Sequence, residues 1–185
     1  GDIVLTFNEN GEEFPLRGRQ CSSEQMPFIK EKFGTYDEFA KANMQDVFGE
    51  EKLNKALHLQ VSTFATSIIT NNGSNPWKLQ PLSNYNQYSS TNGVIMKDFN
   101  KDGSLDIALS GNMFGSEVET PRNDAANGSI LIGDGSGNFK NLTLLESGFF
   151  TPNDVKAIHK IQIDGNYCIA VVNNNDKLQF FKLNK

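Results

Sequence analysis

Nine consecutive residues, Asp98-Phe99-Asn100-Lys101-Asp102-Gly103-Ser104-Leu105-Asp106, carry the densest chemistry in the chain. Oxygen-bearing side chains stand at positions 1, 3, 5 and 9 of this run, and glycine stands at position 6. Hard divalent cations such as Ca²⁺ take six to eight oxygens at about 2.3–2.6 Å. Alternate spacing in a tight loop turns these oxygens toward one centre, and Gly103 permits the sharp turn. The spacing predicts a calcium site formed by Asp98, Asn100, Asp102 and Asp106 with the backbone carbonyl of Ser104. Without a cation the same residues are an Asx-rich turn whose three carboxylates repel one another. Lys101 alone offsets them within the motif, and on alternation it points outward.

Such a loop needs strands to hold it. Gly93-Val94-Ile95-Met96 precedes it and Ile107-Ala108-Leu109 follows it, both apolar and β-prone. No glutamate stands at position 12, where a helix–loop–helix calcium loop has its closing ligand, so Asp106 must close the site. Further strands are expected near 105–110, 128–133, 139–145, 155–163, 167–172 and 178–183, with Asp/Asn/Gly turns between them. That spacing suits an all-β repeat architecture. Upstream, Leu59, Val61, Phe64, Ile68 and Ile69 read as a strand run, and 83–92 as a polar surface loop. Residues 2–17 read as a hairpin: a strand over 2–7, a turn at Asn8-Glu9-Asn10-Gly11, and a return strand that Pro15 makes short or places at an edge.

Residues 22–56 change character. Pro27 suits a first helical turn, Thr35 and Glu38 fit a capping box, Asn43 begins a second helix and Gly49 ends it. So many aromatics on short helices need cover, and Phe28, Ile29, Phe33, Phe39 and Phe48 are expected to pack against a sheet.

Composition narrows the function classes. The chain has 17 basic and 22 acidic residues, a net charge of −5. That balance speaks against a nucleic-acid phosphate binder and against docking on an anionic membrane. No apolar run reaches the ~18 residues of a membrane span. Fourteen Phe supply core, and 22 Asn supply turns. Cys21 and Cys168 are too few for a disulfide framework or a zinc site and read as buried free thiols. Gly133-Asp134-Gly135-Ser136-Gly137 leads into a strand rather than a helix, so it is no phosphate loop. His58 and His159 are isolated and read as strand residues. Glu117, Glu119 and Asp124 read as solvated charge in a polar connection, Asp124 within reach of Arg122. Trp77, Tyr85 and Tyr88 flank a loop, where exposed aromatics can stack on sugars.

The motif Asp98-x-Asn100-x-Asp102-Gly103-x-x-Asp106 between two strands resembles the calcium loop of FG-GAP-like, or VCBS-type, repeats. Leu131-Ile132-Gly133-Asp134-Gly135-Ser136-Gly137-Asn138-Phe139 is similar to the hairpin that ends such repeats. Arg17 to Pro27, Tyr36-Asp37-Glu38-Phe39-Ala40, Gly111-Asn112 and Asp124-Ala125 resemble the C-terminal part of cartilage-acidic-protein-like bacterial envelope proteins. The resemblance implies blades of an integrin-α-like β-propeller, with the metal loop joining two strands of a blade. One full loop is present rather than several, and 154–166, where a further blade would start, lacks it. Propellers use 4–8 blades of about 40–45 residues, so this length implies an incomplete ring. The expected layout is mainly β: a hairpin of a first blade over 1–21, a helical insertion over 22–56, and blades with one calcium loop over 57–185. The expected role is a calcium-binding module for protein or glycan ligands, or scaffolding, in a secreted, periplasmic or outer-membrane-anchored protein. The competing expectation is a domain of a polysaccharide-processing enzyme. Open blade edges at 2–7 and 178–183 imply a homodimer or a helical cap, with Lys177, Lys182 and Lys185 limiting association.

Overall fold

The structure, a computed structural model, describes residues 2–71, 73, 76–116 and 120–183. The chain divides into two compact units, Gly1–Ser62 and Thr63–Lys185. The expected segments 1–21 and 22–56 both fall in the first, and all but the first six residues of 57–185 fall in the second.

In the first unit, strands β1 (Thr6–Glu9) and β2 (Glu12–Pro15) pair antiparallel. The turn needs positive φ at both central residues; Asn10 and Gly11 supply 53° and 91°. Asn8 Oδ1 accepts from the Gly11 N–H at 3.2 Å. The first strand therefore runs two residues into the expected turn, and 2–5 lie outside it; there the Leu16 N–H donates to the Leu5 carbonyl at 2.9 Å and the Gln25 amide to the Ile3 carbonyl at 3.3 Å.

Five short helices follow: α1 (Arg19–Gln25), α2 (Phe28–Lys32), α3 (Tyr36–Ala40), α4 (Met44–Phe48) and α5 (Glu50–Lys55). Helix α1 begins ahead of the expected helical segment, without a side-chain cap. Thr35 and Glu38 form the expected capping box of α3, and Asn43 with Asp46 forms another on α4. Gly49, at φ 77°, ends α4 and opens α5. Met26, Ile29, Phe39, Ala42 and Val47 make a core, with Val4, Phe28, Phe33 and Phe48 against it. The aromatic cluster thus closes on its own helices and the N-terminal segment rather than on a sheet face. Cys21 is exposed, against expectation; Cys168 is buried.

Residues 56–66 carry no regular element where a strand run was expected. Only Ile68 and Ile69 of that run enter a strand, β3 (Ser67–Thr70), which pairs with β4 (Lys78–Pro81). A four-stranded antiparallel sheet follows in chain order, β5 (Thr91–Lys97), β6 (Asp106–Gly111), β7 (Ser129–Gly133) and β8 (Phe139–Asn141). The expected strand 139–145 stops at Asn141, because Thr143 and Glu146 form a capping box for a turn of helix, α6 (Leu144–Ser147). The last sheet is β9 (Val155–Ile163), β10 (Asn166–Asn173) and β11 (Gln179–Lys182), with β10 central.

Strands β6 and β7 are buried on both faces, so they read as continuous apolar runs rather than alternating ones. Ile107, Leu109 and Leu131 point to one face, against Ile68, Leu82 and Phe139. Ala108 and Ile130 point to the other, against Val155, Ile158, Ile169 and Val171. The four-stranded sheet is thus sandwiched between the β3–β4 hairpin and the last sheet. The protein is mainly β, built of several small antiparallel sheets, and among the described residues none closes into a barrel.

Candidate functional site

The loop between β5 and β6 is where the sequence places its metal ligands. Lys101 and Gly103 adopt φ of 64° and 90°, and these two left-handed residues fold the loop back on itself. Asp98 Oδ1 accepts from the Asp102 N–H at 3.2 Å and its Oδ2 from the Gly103 N–H at 2.9 Å. Asn100 Oδ1 accepts from the Asp102 N–H at 3.0 Å, and its amide donates to Asp102 Oδ2 at 2.7 Å. The Ser104 N–H donates to Asp102 Oδ1 at 2.7 Å. That bond and the Asn100 amide hold the exposed Asp102 carboxyl below its ordinary pKa. The structure therefore brings Asp98, Asn100 and Asp102 together through Asx turns.

Asp106 stands apart. It opens β6, is fully buried, and accepts from the Phe99 N–H at 2.7 Å and the Gly133 N–H at 3.0 Å. It pairs with no lysine or arginine among the described residues. Its two oxygens are thus each met in the interior by a backbone N–H donor. Among the described residues no three Asp, Glu, His or Cys side chains converge in a metal-binding cluster. The donor set nevertheless suits a hard cation: three carboxylates, one amide oxygen and one carbonyl, with no nitrogen or sulfur. Asp98, Asn100, Asp102, Asp106 and the Ser104 carbonyl would hold it, and water would complete six or more ligands.

The turn from β7 to β8 is built by the same device. Asp134 Oδ1 accepts from the Ser136 and Asn138 N–H groups at 2.8 and 3.1 Å, and Oδ2 from the Asn138 amide at 2.7 Å. The Asn138 amide first, then Ser136, keep the Asp134 pKa low. A side chain at Gly133 would run into the Leu105 carbonyl, so the turn and the loop touch through backbone.

Sequence reasoning missed a buried polar framework at the opposite end of β6. Asn112 is fully buried at a positive φ of 88°. Its amide donates to the carbonyls of Ala126 and Pro152 at 2.8 and 3.0 Å, and its oxygen accepts from the Ala126 N–H at 3.0 Å. Asn92 donates to the Asn112 and Val155 carbonyls, both at 2.8 Å. Ser110 and Thr151 share a buried hydrogen bond of 2.7 Å. The one available signal was the pair Gly111-Asn112: the glycine leaves room for the Ser90 carbonyl, and asparagine tolerates left-handed backbone.

The remaining candidates are placed as follows. Asp124 pairs with Arg122 at 2.8 Å; Glu117 and Glu119 lie outside the described residues. His159 sits on β9, whereas His58 lies in the irregular segment and meets Glu13 at 3.0 Å. Tyr85 and Tyr88 pack edge to face beside a 3₁₀ turn (Asn84–Gln87), within the stretch expected to be surface loop, although Asn86 is buried there. The adjoining cavity is about 20 Å³, room for one water rather than a sugar ring, and the partnerless hydroxyl of Ser90 lies on its wall. No helix among the described residues is long and apolar enough to cross a membrane. No protein-family model, curated protein or solved structure matches the chain.

Proposed function

We propose that residues 63–185 form a calcium-stabilised module of the FG-GAP or VCBS type, with a binding or scaffold role in a secreted or cell-envelope protein. The observation that carries this reading is the junction at Asp106. Its buried carboxylate accepts one N–H from the loop 98–106 and one from the turn 133–139. The two motifs that resemble the family therefore meet at one charge. The strand order supports the same reading: the loop joins the first two strands of a four-stranded antiparallel meander and the turn joins its last two. A blade of a propeller has that form, and the next sheet, packed on its face, would be an incomplete second one.

Calcium would offset three carboxylates that otherwise sit within one short loop. Its dissociation constant is expected between about 10⁻⁶ and 10⁻³ M, the range of sensor and extracellular loop sites. The ligand class is a protein or glycan. Thermal melts of the full chain with calcium and with chelator test the reading. A cation at a hundredfold excess over its dissociation constant stabilises by about 2.7 kcal/mol, so chelator lowers Tm and Asp102→Ala abolishes the difference. Identical melts in calcium and chelator overturn it.

A further inference from the structure

At one end of the seam between the four-stranded sheet and the last sheet, two ammonium groups meet one aromatic ring. Lys97 Nζ lies 5.3 Å and Lys160 Nζ 5.1 Å from the centroid of the Tyr167 ring. Strand register brings them together. Lys160 stands opposite Ile169 and Gln162 opposite Tyr167, and opposed residues of an antiparallel pair share a face. Ile158 and Ile169 on that face belong to the core against the four-stranded sheet, and Ile95, two residues before Lys97, packs against the same core. Lys97, Lys160, Gln162 and Tyr167 therefore continue this core outward to solvent. Lys97 is half-buried and the other three are exposed.

The two cations lack a counter-ion. Among the described residues neither ammonium makes an ion pair or donates a hydrogen bond. The carboxylates closest in sequence or register are engaged elsewhere. Asp98, next to Lys97, accepts from the Asp102 and Gly103 N–H groups. Asp106, opposite Lys97 on β6, accepts from the Phe99 and Gly133 N–H groups. Asp164, in the turn from β9 to β10, pairs with neither lysine. A ring face attracts an ammonium through its quadrupole, but each lysine has three N–H donors, and two like charges at one ring repel. An oxyanion set between them accepts charge-assisted hydrogen bonds from both and removes the repulsion.

The neighbours narrow the ligand. The Gln162 carboxamide and the Tyr167 hydroxyl have no hydrogen-bond partner among the described residues. Both groups donate and accept, as sugar hydroxyls do. A nucleic-acid strand would instead be carried over the acidic loop that starts at Asp98 and be repelled there. We propose that Lys97 and Lys160 bind the carboxylate of a uronic-acid residue in an acidic glycan, with Gln162 and the Tyr167 hydroxyl on its ring hydroxyls. This rests on the reading of 63–185 as a ligand-binding module and narrows its ligand class; it does not depend on the metal.

Isothermal titration of the full chain with digalacturonate tests the site, in chelator so that calcium cannot bridge sugar and protein. Binding between micromolar and millimolar is expected, weakening as salt rises. The methyl ester of the same disaccharide lacks the charge and should bind at least about fivefold more weakly. Lys97→Gln and Lys160→Gln should each cost about fivefold in affinity. Lys177→Gln, beyond the opposite end of β10, should leave affinity unchanged, with circular dichroism showing all three variants folded. No binding of digalacturonate at millimolar concentration overturns the proposal, as does full affinity in both Lys97→Gln and Lys160→Gln. Equal binding of acid and ester also overturns it, while leaving a glycan-binding module standing. A glutamate dipeptide bound as tightly as digalacturonate overturns the assignment to a glycan. The response of Tm to calcium is read separately and is untouched by any of these outcomes.

Discussion

Asp106 and Asp154 are two buried carboxylates resolved in different ways, and each yields a prediction. Asp106 is held by two backbone N–H donors. In Asp106→Asn an amide nitrogen must face one of those donors, leaving it unpaired in the interior. The variant is expected to lose about 2 kcal/mol in urea denaturation together with its response to chelator, while Asp124→Asn, on the exposed Arg122 pair, changes stability by under ~1 kcal/mol. Asp154 is 2 % exposed and meets Lys156 Nζ at 2.7 Å and the Asn174 amide at 3.1 Å. Burial pushes its pKa up, but the lysine and the amide outweigh it and hold the carboxyl below the ordinary range. A depressed folded pKa contributes stability above the unfolded value near 3.9, and that contribution is lost as pH falls through the folded value. Between pH 7 and 2, Asp154→Asn should therefore start less stable and lose less than the parent below about pH 4; parallel profiles would remove Asp154 from the acid limb. That Asp98, Asn100 and Asp102 gather in one loop was legible, because Asx-turn spacing is local. The Gly133 N–H, 27 residues from Asp106, was not, since strand register brings it there.

At the scale of elements, local chemistry predicts its own strength. Thr35 and Thr143 each accept from the N–H three residues on, at 3.2 and 3.3 Å. Replacing either with Ala should cost about 1 kcal/mol in chemical denaturation. The Gly93 position on β5 is tighter: a Cβ there would lie 2.8 Å from Ile158 Cγ1 and 2.9 Å from its backbone nitrogen. Gly93→Ala must push β9 away and should cost 1–3 kcal/mol, in the range of overpacked cores. A neutral Gly93→Ala would mean that the two strands are not in contact in solution. The strands from 91 to 182 could be read from sequence because turn residues punctuate them and β6, β7 and β10 are strongly apolar. The segment 57–64 misled for the same reason, since a strand pattern states a preference and only a partner edge realises it. Helix α6 was hidden because Leu142, Leu144 and Leu145 follow β8 closely enough to extend a strand reading, and the capping pair Thr143 and Glu146 was the stop signal.

At the scale of the molecule, the two units differ in what holds them. The first rests on one small core of short helices, with Ile29, Phe39 and Val47 at its centre. A unit of about 60 residues buries only about 60 % of its unfolded surface and is marginal. The second has two cores on the two faces of one sheet and contains the loop 98–106. A ligand that binds only the folded form of one unit raises that unit's transition and, through it, only what is coupled to it. Differential scanning calorimetry is therefore expected to show two transitions. The lower belongs to 1–62 and is insensitive to calcium, and the upper belongs to 63–185 and rises with calcium concentration. Thr35→Ala should move the lower one alone, and Asp106→Asn the upper one alone. If both variants and calcium instead displaced a single transition together, the two units would unfold as one, and the separate cores would not mark separate units of stability.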